Sequence, residues 1–350
     1  MASRDIMRST TRGFKKYYSP NVMGELRLDT NTNVLGSNPA ATRYLREQKV
    51  DLNEYPVTYS DDLRAALASL YGLEMDNFVV GSGSDEILDI SFKTFTEWGD
   101  SCLVPYPSYS LYDYFAQMNG GSVVISELTE DFQLDVDDIV SSKAKIVIAA
   151  TPNNPTGNSF RQKDIEDLLA RFKGVVIVDE AYGEYSDLSM IPRVNEFDNM
   201  IVVRTFSKAY AMAALRVGYG VANKDIAEMM NSVKIPYSLN SLSEGAAIAA
   251  VGDQDFIRKS KDMILAERPK LVSGLEKLGF RPYPSDSNFI LAVSPIDHAN
   301  LTKALRKRGI LIRDFGSKRR MENCVRFTVG TDEMNRSLLS AIEDILRDGN

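Results

Sequence analysis

Residues 204–220 read RTFSKAYAMAALRVGYG, and they contain the most informative residue of the chain, Lys208. The apolar run 201–203 before them predicts a buried strand, and the small residues after the lysine favour a helix. A lysine that ends a buried strand, with Ser207 before it and Arg216 eight residues after it, suits a covalent bond to a cofactor aldehyde beside a bound phosphate. Because an isolated lysine is usually a solvated surface residue, the rest of the chain must decide between the two interpretations.

Two further segments end in the same way. KIVIAA (145–150) runs into TPNNPTG, and GVVIVDEAY (174–182) ends in two carboxylates and a tyrosine. Both are short apolar runs rich in β-branched residues, which is typical of parallel strands covered on both faces. Ligands of such sheets bind at the carboxyl ends of the strands, so we expect Asn154, Asp179 and Lys208 to converge on one cleft.

These residue types fit the chemistry of pyridoxal phosphate. Lys208 can bind the cofactor and later move a proton, and Asp179 can keep the pyridine nitrogen protonated, so that the ring withdraws electrons. Tyr182 and Asn154 can donate hydrogen bonds to the phenolate oxygen of the ring. Side chains suited to the cofactor phosphate are Thr205, Ser207 and Arg216.

Four motifs occur in an order that resembles a known family. They are NNPTG (153–157), VDEAY (178–182), SKAYAMAALRVGY (207–219) and VRFTVGT (325–331). With them the chain resembles the pyridoxal-phosphate aminotransferases of fold type I, class I/II, and most of all the histidinol-phosphate aminotransferase family. The similarity extends from about Tyr18 to the C-terminus.

The resemblance implies an α/β fold with two domains. We expect an N-terminal arm (1–28), a large cofactor-binding domain (29–250) with a mainly parallel seven-stranded sheet, and a small C-terminal α+β domain (251–350). Residues 29–50 could pack with the small domain instead. The family is typically a homodimer whose active sites are shared between the subunits.

The segment VVGSGSDEILDI (79–90) predicts a strand, a glycine turn and a helix start with Ser84 as N-cap. The backbone amides of Gly83, Ser84 and Asp85 would then face an anion, and the resemblance assigns them to the cofactor phosphate. It also assigns Tyr109 to stacking on the cofactor ring and Tyr55 to the phosphate of the neighbouring subunit. Three nearby tyrosines are interpreted as packing residues, namely Tyr106, Tyr112 and Tyr114.

The resemblance also suggests substrate contacts. Arg326 matches the arginine that binds the substrate carboxylate, and Arg313 matches a neighbouring one. Tyr18 is a candidate contact to the substrate tail, and Asn33 lies in register with the family's LNxNENPxG segment. The sequence departs from the family at Thr32, Val34 and Ser238, which puts the identity of the substrate in question.

The expected reaction converts histidinol phosphate and 2-oxoglutarate into imidazole acetol phosphate and glutamate. Two alternatives share the cofactor motifs: an aminotransferase for aromatic amino acids, and a decarboxylase of the phosphothreonine type. A non-enzymatic cofactor-binding regulator is a weaker one, because the full set of reactive residues is present.

The composition of the chain limits the classes of protein to which it can belong. The 350 residues carry a net charge of −7, with 44% hydrophobic and 25% charged residues, which predicts a soluble globular protein without broad nucleic-acid binding. One histidine, His298, which we expect to be exposed, and two cysteines leave too few ligands for a zinc site or a serine–histidine triad, so no metal is expected. Buried free thiols and the lack of a signal or membrane-spanning segment predict a cytoplasmic protein. The basic run 318–320 predicts a solvated loop.

Overall fold

The computed structural model describes residues 6–8, 11–14, 26–48 and 50–348. Its strands are, in chain order, β1 (Leu26–Arg27), β2 (Phe78–Gly81), β3 (Ser101–Tyr106), β4 (Ser122–Glu127), β5 (Ile146–Ala150), β6 (Val175–Asp179), β7 (Met200–Thr205), β8 (Gly218–Ala222), β9 (Arg281–Pro282), β10 (Phe289–Val293), β11 (Ile310–Leu311), β12 (Arg313–Asp314) and β13 (Cys324–Thr328).

The helices lie between these strands and cover the sheets. They are α1 (Pro39–Glu47), α2 (Asp61–Tyr71), α3 (Ser84–Phe95), α4 (Leu111–Met118), α5 (Val136–Ser141), α6 (Gln162–Arg171), α7 (Lys224–Val233), α8 (Ser241–Val251), α9 (Gln254–Lys277), α10 (His298–Lys307) and α11 (Asp332–Asp348). No helix within the described ranges is long and apolar enough to cross a lipid bilayer.

Seven strands of the described chain form the central sheet, in the order β2-β8-β7-β6-β5-β3-β4. Only β8 runs antiparallel to its neighbours. Alternate residues of β5, β6 and β7 belong to two separate apolar cores, one on each face of the sheet. This burial on both faces explains the continuous apolar runs, and the predicted α/β fold with a mainly parallel sheet is confirmed.

The C-terminal part forms a second, antiparallel sheet in the order β12-β13-β10-β9, packed with α9, α10 and α11. The first described strand, β1, pairs in parallel with β11. The amide of Leu28 donates to Leu311 O at 2.9 Å, and the amide of Thr328 donates to Leu28 O at 2.9 Å. The segment from Leu26 therefore joins the C-terminal sheet, whereas α1 packs on α8.

A buried ion cluster lies at the end of β6 and β7. The Arg204 guanidinium is 2.7 Å from Glu180 and 2.9 Å from Glu184, and all three side chains are buried. The other Glu180 oxygen accepts a hydrogen bond from the amide of Met190 at 2.6 Å. Because a buried arginine fixes both carboxylates, the chain that follows β6 is held in one conformation.

Three local predictions are corrected by the structure. The small residues after Lys208 form only one 3-10 turn, Ala213–Leu215, because Ala211 and Arg216 adopt left-handed backbone angles. His298 is half-buried rather than exposed, and it lies 2.8 Å from Asp314.

The third corrected prediction concerns the basic run 318–320, which contacts other parts of the chain and is not a fully solvated loop. The Arg320 guanidinium donates to Thr129 O at 2.8 Å and lies 3.3 Å from Glu127, and Arg319 also pairs with Glu127.

The prediction of buried free thiols is confirmed, since Cys102 and Cys324 are both free and buried.

Candidate active site

The register of the parallel strands brings the predicted residues to one edge of the sheet. Ala150, the last residue of β5, pairs with Asp179, and Asp179 pairs with Val203. Asn154 lies four residues beyond β5, and Lys208 lies three residues beyond β7. The three strands therefore end at the same edge of the sheet, and the shared cleft of Asn154, Asp179 and Lys208 stays a prediction.

Lys208 is half-buried and is held by the segment around Thr30. Its Nζ donates to Thr30 O at 3.0 Å and lies 5.5 Å from the centre of the Tyr182 ring. The next residue is also fixed, because Asn33 Nδ2 donates to Ala209 O at 2.9 Å. Asn33, which the resemblance assigns to the substrate, thus contacts the backbone beside the lysine.

Asp179 is a buried carboxylate with a hydrogen bond on each oxygen. Oδ2 accepts from the Tyr112 hydroxyl at 2.7 Å, and Oδ1 accepts from the amide of Ala181 at 2.9 Å. Burial raises the pKa of Asp179 to about 6, although both donors act to lower it. The negative charges of Asp85 and Glu180 raise this pKa further. A cationic partner would therefore relieve an electrostatic cost at this position.

Tyr182 and Asn154 lie beside the lysine and the carboxylate. The Tyr182 hydroxyl accepts a hydrogen bond from Asn31 Nδ2 at 3.1 Å, and its proton remains available for another acceptor. Asn154 Oδ1 accepts from the Arg326 guanidinium, which leaves the amide nitrogen of Asn154 available as a donor. Both side chains can therefore donate to one oxygen of a ligand in this cleft.

The glycine turn before α3 leads directly into the N-terminus of this helix. Gly83, at a φ of 84°, is the N-cap and no side chain caps the helix, so the prediction of Ser84 as N-cap is wrong by one residue. The amide of Gly83 donates to Gly81 O at 2.9 Å, so this residue shapes the turn. Ser84 is the first residue of α3, and its amide and that of Asp85 are helix-start donors of the kind that bind phosphate.

The turn lies directly against Gly218, the first residue of β8. A Cβ at Gly218 would lie 2.1 Å from the amide nitrogen of Ser84 and 2.3 Å from the carbonyl carbon of Gly83. Gly218 also pairs with Thr205 on one side and with Gly81 on the other. The turn can take its position because the residue beneath it has no side chain.

Arg216 completes this end of the cleft. Its guanidinium is 2.9 Å from Asp85 and 3.4 Å from the Ser207 hydroxyl, and its side chain is half exposed. Thr205 is buried, and its hydroxyl accepts from the amide of Ser207 at 3.1 Å. Two hydroxyls, a guanidinium and helix-start amides therefore lie near one another, and these are the types of group that bind phosphate.

Two arginines face each other on the C-terminal sheet. Arg313 and Arg326 are directly paired across β12 and β13, so their side chains leave the same face of the sheet. Arg326 is buried and also donates to Asp29 O at 2.8 Å. Like charges in this position repel each other, and an anionic ligand group between them would remove that repulsion.

The remaining predicted residues are placed as follows. Tyr109 is half-buried, and its ring packs edge-on to Tyr112 with 5.5 Å between the centroids. Tyr55 is 82% exposed, and its ring lies against Tyr237 with a centroid distance of 4.9 Å. Tyr18 lies outside the described residues.

Sequence reasoning missed three residues of the site. The assignment of Tyr112 to packing alone is wrong, because its hydroxyl binds Asp179. Asn31, which binds Tyr182, and Gly218, which underlies the phosphate turn, were not assigned either. A buried tyrosine hydroxyl usually has a hydrogen-bond partner, but the burial of Tyr112 is visible only in the structure.

Comparison with known proteins agrees with this geometry. The sequence profile of the family described as "Aminotransferase class I and II" matches residues 23–342. Histidinol-phosphate aminotransferase from Caldanaerobacter subterraneus subsp. tengcongensis is 34% identical over 350 residues, covering 98% of this chain and 99% of the relative.

Solved structures of two such enzymes superpose on the chain. The enzyme from Sinorhizobium meliloti in complex with pyridoxal-5'-phosphate has a TM-score of 0.87 at 25% identity, covering 93% of this chain and 92% of its own. The enzyme from Clostridium acetobutylicum has a TM-score of 0.86 at 28% identity, covering 92% of this chain and 99% of its own.

Replacing Gly218 by alanine should weaken cofactor binding without unfolding the protein. The added methyl group displaces the backbone at Gly83 and Ser84, so we expect the affinity for pyridoxal phosphate to fall by about 100-fold, which corresponds to about 2.7 kcal/mol. Titration of the apoprotein by intrinsic fluorescence measures this change.

The matched control is Gly252→Ala, since Gly252 has ordinary helical angles and a new Cβ would stay 3.4 Å from its nearest neighbour. Equal affinities for the Gly218→Ala and Gly252→Ala proteins would contradict the assignment of this turn to the phosphate.

The apoprotein should become more stable at neutral pH when Asp179 is replaced by asparagine. The folded pKa of about 6 exceeds the ordinary value of 3.8, so the wild-type protein loses stability as the pH rises from about 4 to about 6. An asparagine amide does not titrate, so Asp179→Asn should gain about 2–3 kcal/mol above pH 7 and almost nothing near pH 4.

Urea denaturation of the two apoproteins at both pH values measures the difference, with Asp137→Asn, an exposed position, as the control. A gain that is the same at pH 4 and pH 8 would show that it does not come from the charge.

Proposed function

Because the chain belongs to the class I and II aminotransferase family, we propose that this pyridoxal-phosphate-dependent aminotransferase acts on histidinol phosphate with 2-oxoglutarate as acceptor. The curated relative at 34% identity is named for this activity and matches the chain over almost its whole length. One observation carries the proposal: Lys208 Nζ donates to Thr30 O, and the Arg326 guanidinium donates to the neighbouring Asp29 O and to Asn154, so the lysine and one of the paired arginines meet at the same segment. The amino donor and the keto acceptor are small molecules that occupy the active site in turn.

Each residue near the lysine has a role in proton and charge control. When bound, the cofactor supplies an aldehyde that takes up the amino group and a ring that withdraws electrons from the carbon that carried it. Lys208 Nζ would take the proton from that carbon and deliver it to the former aldehyde carbon of the cofactor. Asp179 would hold a proton at the ring nitrogen, and Tyr182 and Asn154 would donate to the ring oxygen.

The other cofactor contacts lie on both sides of this group. Tyr109 would cover the ring, and the amides of Ser84 and Asp85 would bind the phosphate in the turn that Gly83 shapes. Side chains that complete the phosphate site are Thr205, Ser207 and Arg216. Binding of the phosphate would require Arg216 to leave Asp85. The cost is small, because an exposed ion pair contributes little to stability.

Arg326 and Arg313 bind the anionic end of the substrate. A guanidinium can accept a phosphate or a carboxylate through two parallel hydrogen bonds, so the same pair can serve histidinol phosphate and glutamate in successive half-reactions. Tyr18 is proposed to contact the substrate tail, and Asn33 acts by holding Ala209 beside the lysine. The cleft lies between the large domain, residues 29–250, and the small domain, residues 251–350.

A homodimer is the assembly that we propose. Apolar side chains from two contacting segments are exposed together, and we call them the apolar patch: Leu52 at 87%, Tyr55 at 82%, Val57 at 46%, Ile235 at 65% and Tyr237 at 44%. The two segments touch through the Tyr55 and Tyr237 rings. A monomer rarely exposes so many large apolar side chains together, and a second subunit would cover them and receive Tyr55 at its phosphate site.

The cytoplasm is the location that we propose for the enzyme. Cys102 and Cys324 are free and buried, and free thiols persist in a reducing compartment.

Half-reactions on the reconstituted enzyme test the proposed substrate. Histidinol phosphate and glutamate should each convert the bound cofactor to its amino form, because both place an anion at the arginine pair. Stopped-flow absorbance measures the rates, and Lys208→Ala should lose turnover while remaining folded.

Conversion by phenylalanine and tyrosine but not by histidinol phosphate would instead assign an aromatic aminotransferase, and would direct attention to Thr32, Val34 and Ser238. Release of carbon dioxide from a phosphorylated amino acid without a keto acceptor would assign a decarboxylase.

The apolar patch should be the dimer contact. Ile235→Glu places a charge in its centre, so we expect sedimentation to shift from dimer to monomer and the cofactor affinity to fall, because Tyr55 is withdrawn from the neighbouring site. Val124→Glu, an exposed apolar position on the edge strand β4, should leave the dimer unchanged. A wild-type monomer at micromolar concentration would contradict the proposed assembly.

A further inference from the structure

Tyr112 lies in a position that the proposed reaction leaves unexplained. It is the second residue of α4, it is 1% exposed, and its hydroxyl donates to Asp179 Oδ2 at 2.7 Å. Its ring also packs edge-on to Tyr109, with an interplanar angle of 84°. One side chain therefore contacts both the carboxylate assigned to the ring nitrogen and the aromatic ring assigned to stacking.

The hydroxyl of Tyr112 donates to Asp179 whenever the carboxylate is ionised. Burial, together with the charge of Asp179, raises the pKa of Tyr112 well above its ordinary value, so the phenol keeps its proton at every working pH. An ionised carboxylate accepts hydrogen bonds and cannot donate. Tyr112 is therefore the donor and the ionised carboxylate is the acceptor. This hydrogen bond favours the charged form of Asp179.

The carboxylate is held from two sides by groups of different elements. Ala181 N, on the chain after β6, binds Oδ1, and Tyr112, on α4, binds Oδ2. Tyr109 and Tyr182 also lie close enough to influence Tyr112, while Asp85 and Glu180 place negative charge near Asp179. Because the amide alone would leave the carboxylate free to rotate about its Cβ–Cγ bond, the second donor fixes the plane of the group.

We propose that Tyr112 is a positioning residue, which orients the Asp179 carboxylate toward the cofactor nitrogen and couples that carboxylate to the stacking ring of Tyr109. The inference rests on the proposed role of Asp179 at the ring nitrogen. An oriented, ionised carboxylate keeps the ring protonated, and a rotated or neutral carboxylate does not. The packing role of Tyr112 is kept by phenylalanine, whereas the hydrogen bond is not.

Tyr112→Phe tests this separation of roles. Loss of a hydrogen bond to a charged group should weaken binding of pyridoxal phosphate to the apoprotein by about 10- to 100-fold, measured by fluorescence titration. The inflection in the pH dependence of that binding should move to higher pH, since Asp179 loses a donor to its charged form. In steady-state kinetics kcat should fall while KM for the amino donor stays within about twofold.

The control is Tyr114→Phe, in the same helix, whose ring packs edge-on to Phe115 and is 40% exposed. It should change none of the three measurements. Near-ultraviolet circular dichroism of each apoprotein establishes that the variants are folded.

A double-mutant cycle with Asp179→Asn separates the inference from the function on which it depends. Once Asp179 is replaced, Tyr112→Phe should weaken cofactor binding by less than about twofold. If Asp179→Asn weakens binding and Tyr112→Phe alone does not, the positioning role is overturned and the proposed function stands. If Asp179→Asn itself leaves cofactor binding and turnover unchanged, the proposed role of Asp179 fails first.

Discussion

The parallel register of β5, β6 and β7 is the constraint on which the site depends. Pairing of Ala150 with Asp179, and of Asp179 with Val203, makes three strands end at one level. The chain must leave the sheet there, and backbone groups at strand ends are free to bind ligands or side chains. A shift of one strand by one residue would turn Asp179 to the opposite face, so the two apolar cores that fix the register also fix the chemistry.

The carboxyl edge of the sheet is stabilised by residues that have no proposed role in the reaction. Arg204 joins Glu180 and Glu184 below the cleft, and this holds the turn that presents Tyr182. Above the cleft, Asn31 is bound to Tyr182 and to Thr328 of the C-terminal sheet. These contacts join the two sheets near Lys208, Arg313 and Arg326, although the arginines lie more than 100 residues from the lysine in the chain.

Much of the fold and the site could be predicted because it rests on local patterns. The apolar runs before Asp179 and Lys208 are buried on both faces, and short runs rich in β-branched residues are typical of strands in such a sheet. The contacts of Tyr112 and Gly218 depend on pairs of segments that the sequence does not relate, and Arg320 reaches Thr129 across 191 residues. The N-cap of α3 is Gly83 and not the predicted Ser84. The positive φ of Gly83 lets the turn pass over Gly218.

The pair Arg313 and Arg326 is the site that we propose for the anionic group of the substrate. Two guanidinium groups directly opposite on neighbouring strands repel each other, and Arg326 is largely removed from water. An anion that reaches both groups gains charge-assisted hydrogen bonds and ends the repulsion. A donor whose carboxylate or phosphate reaches the two guanidinium groups gains these bonds, and a donor without such a group does not. The cross-strand arginines therefore favour amino donors that carry a carboxylate or a phosphate, and both partners of the proposed reaction carry one.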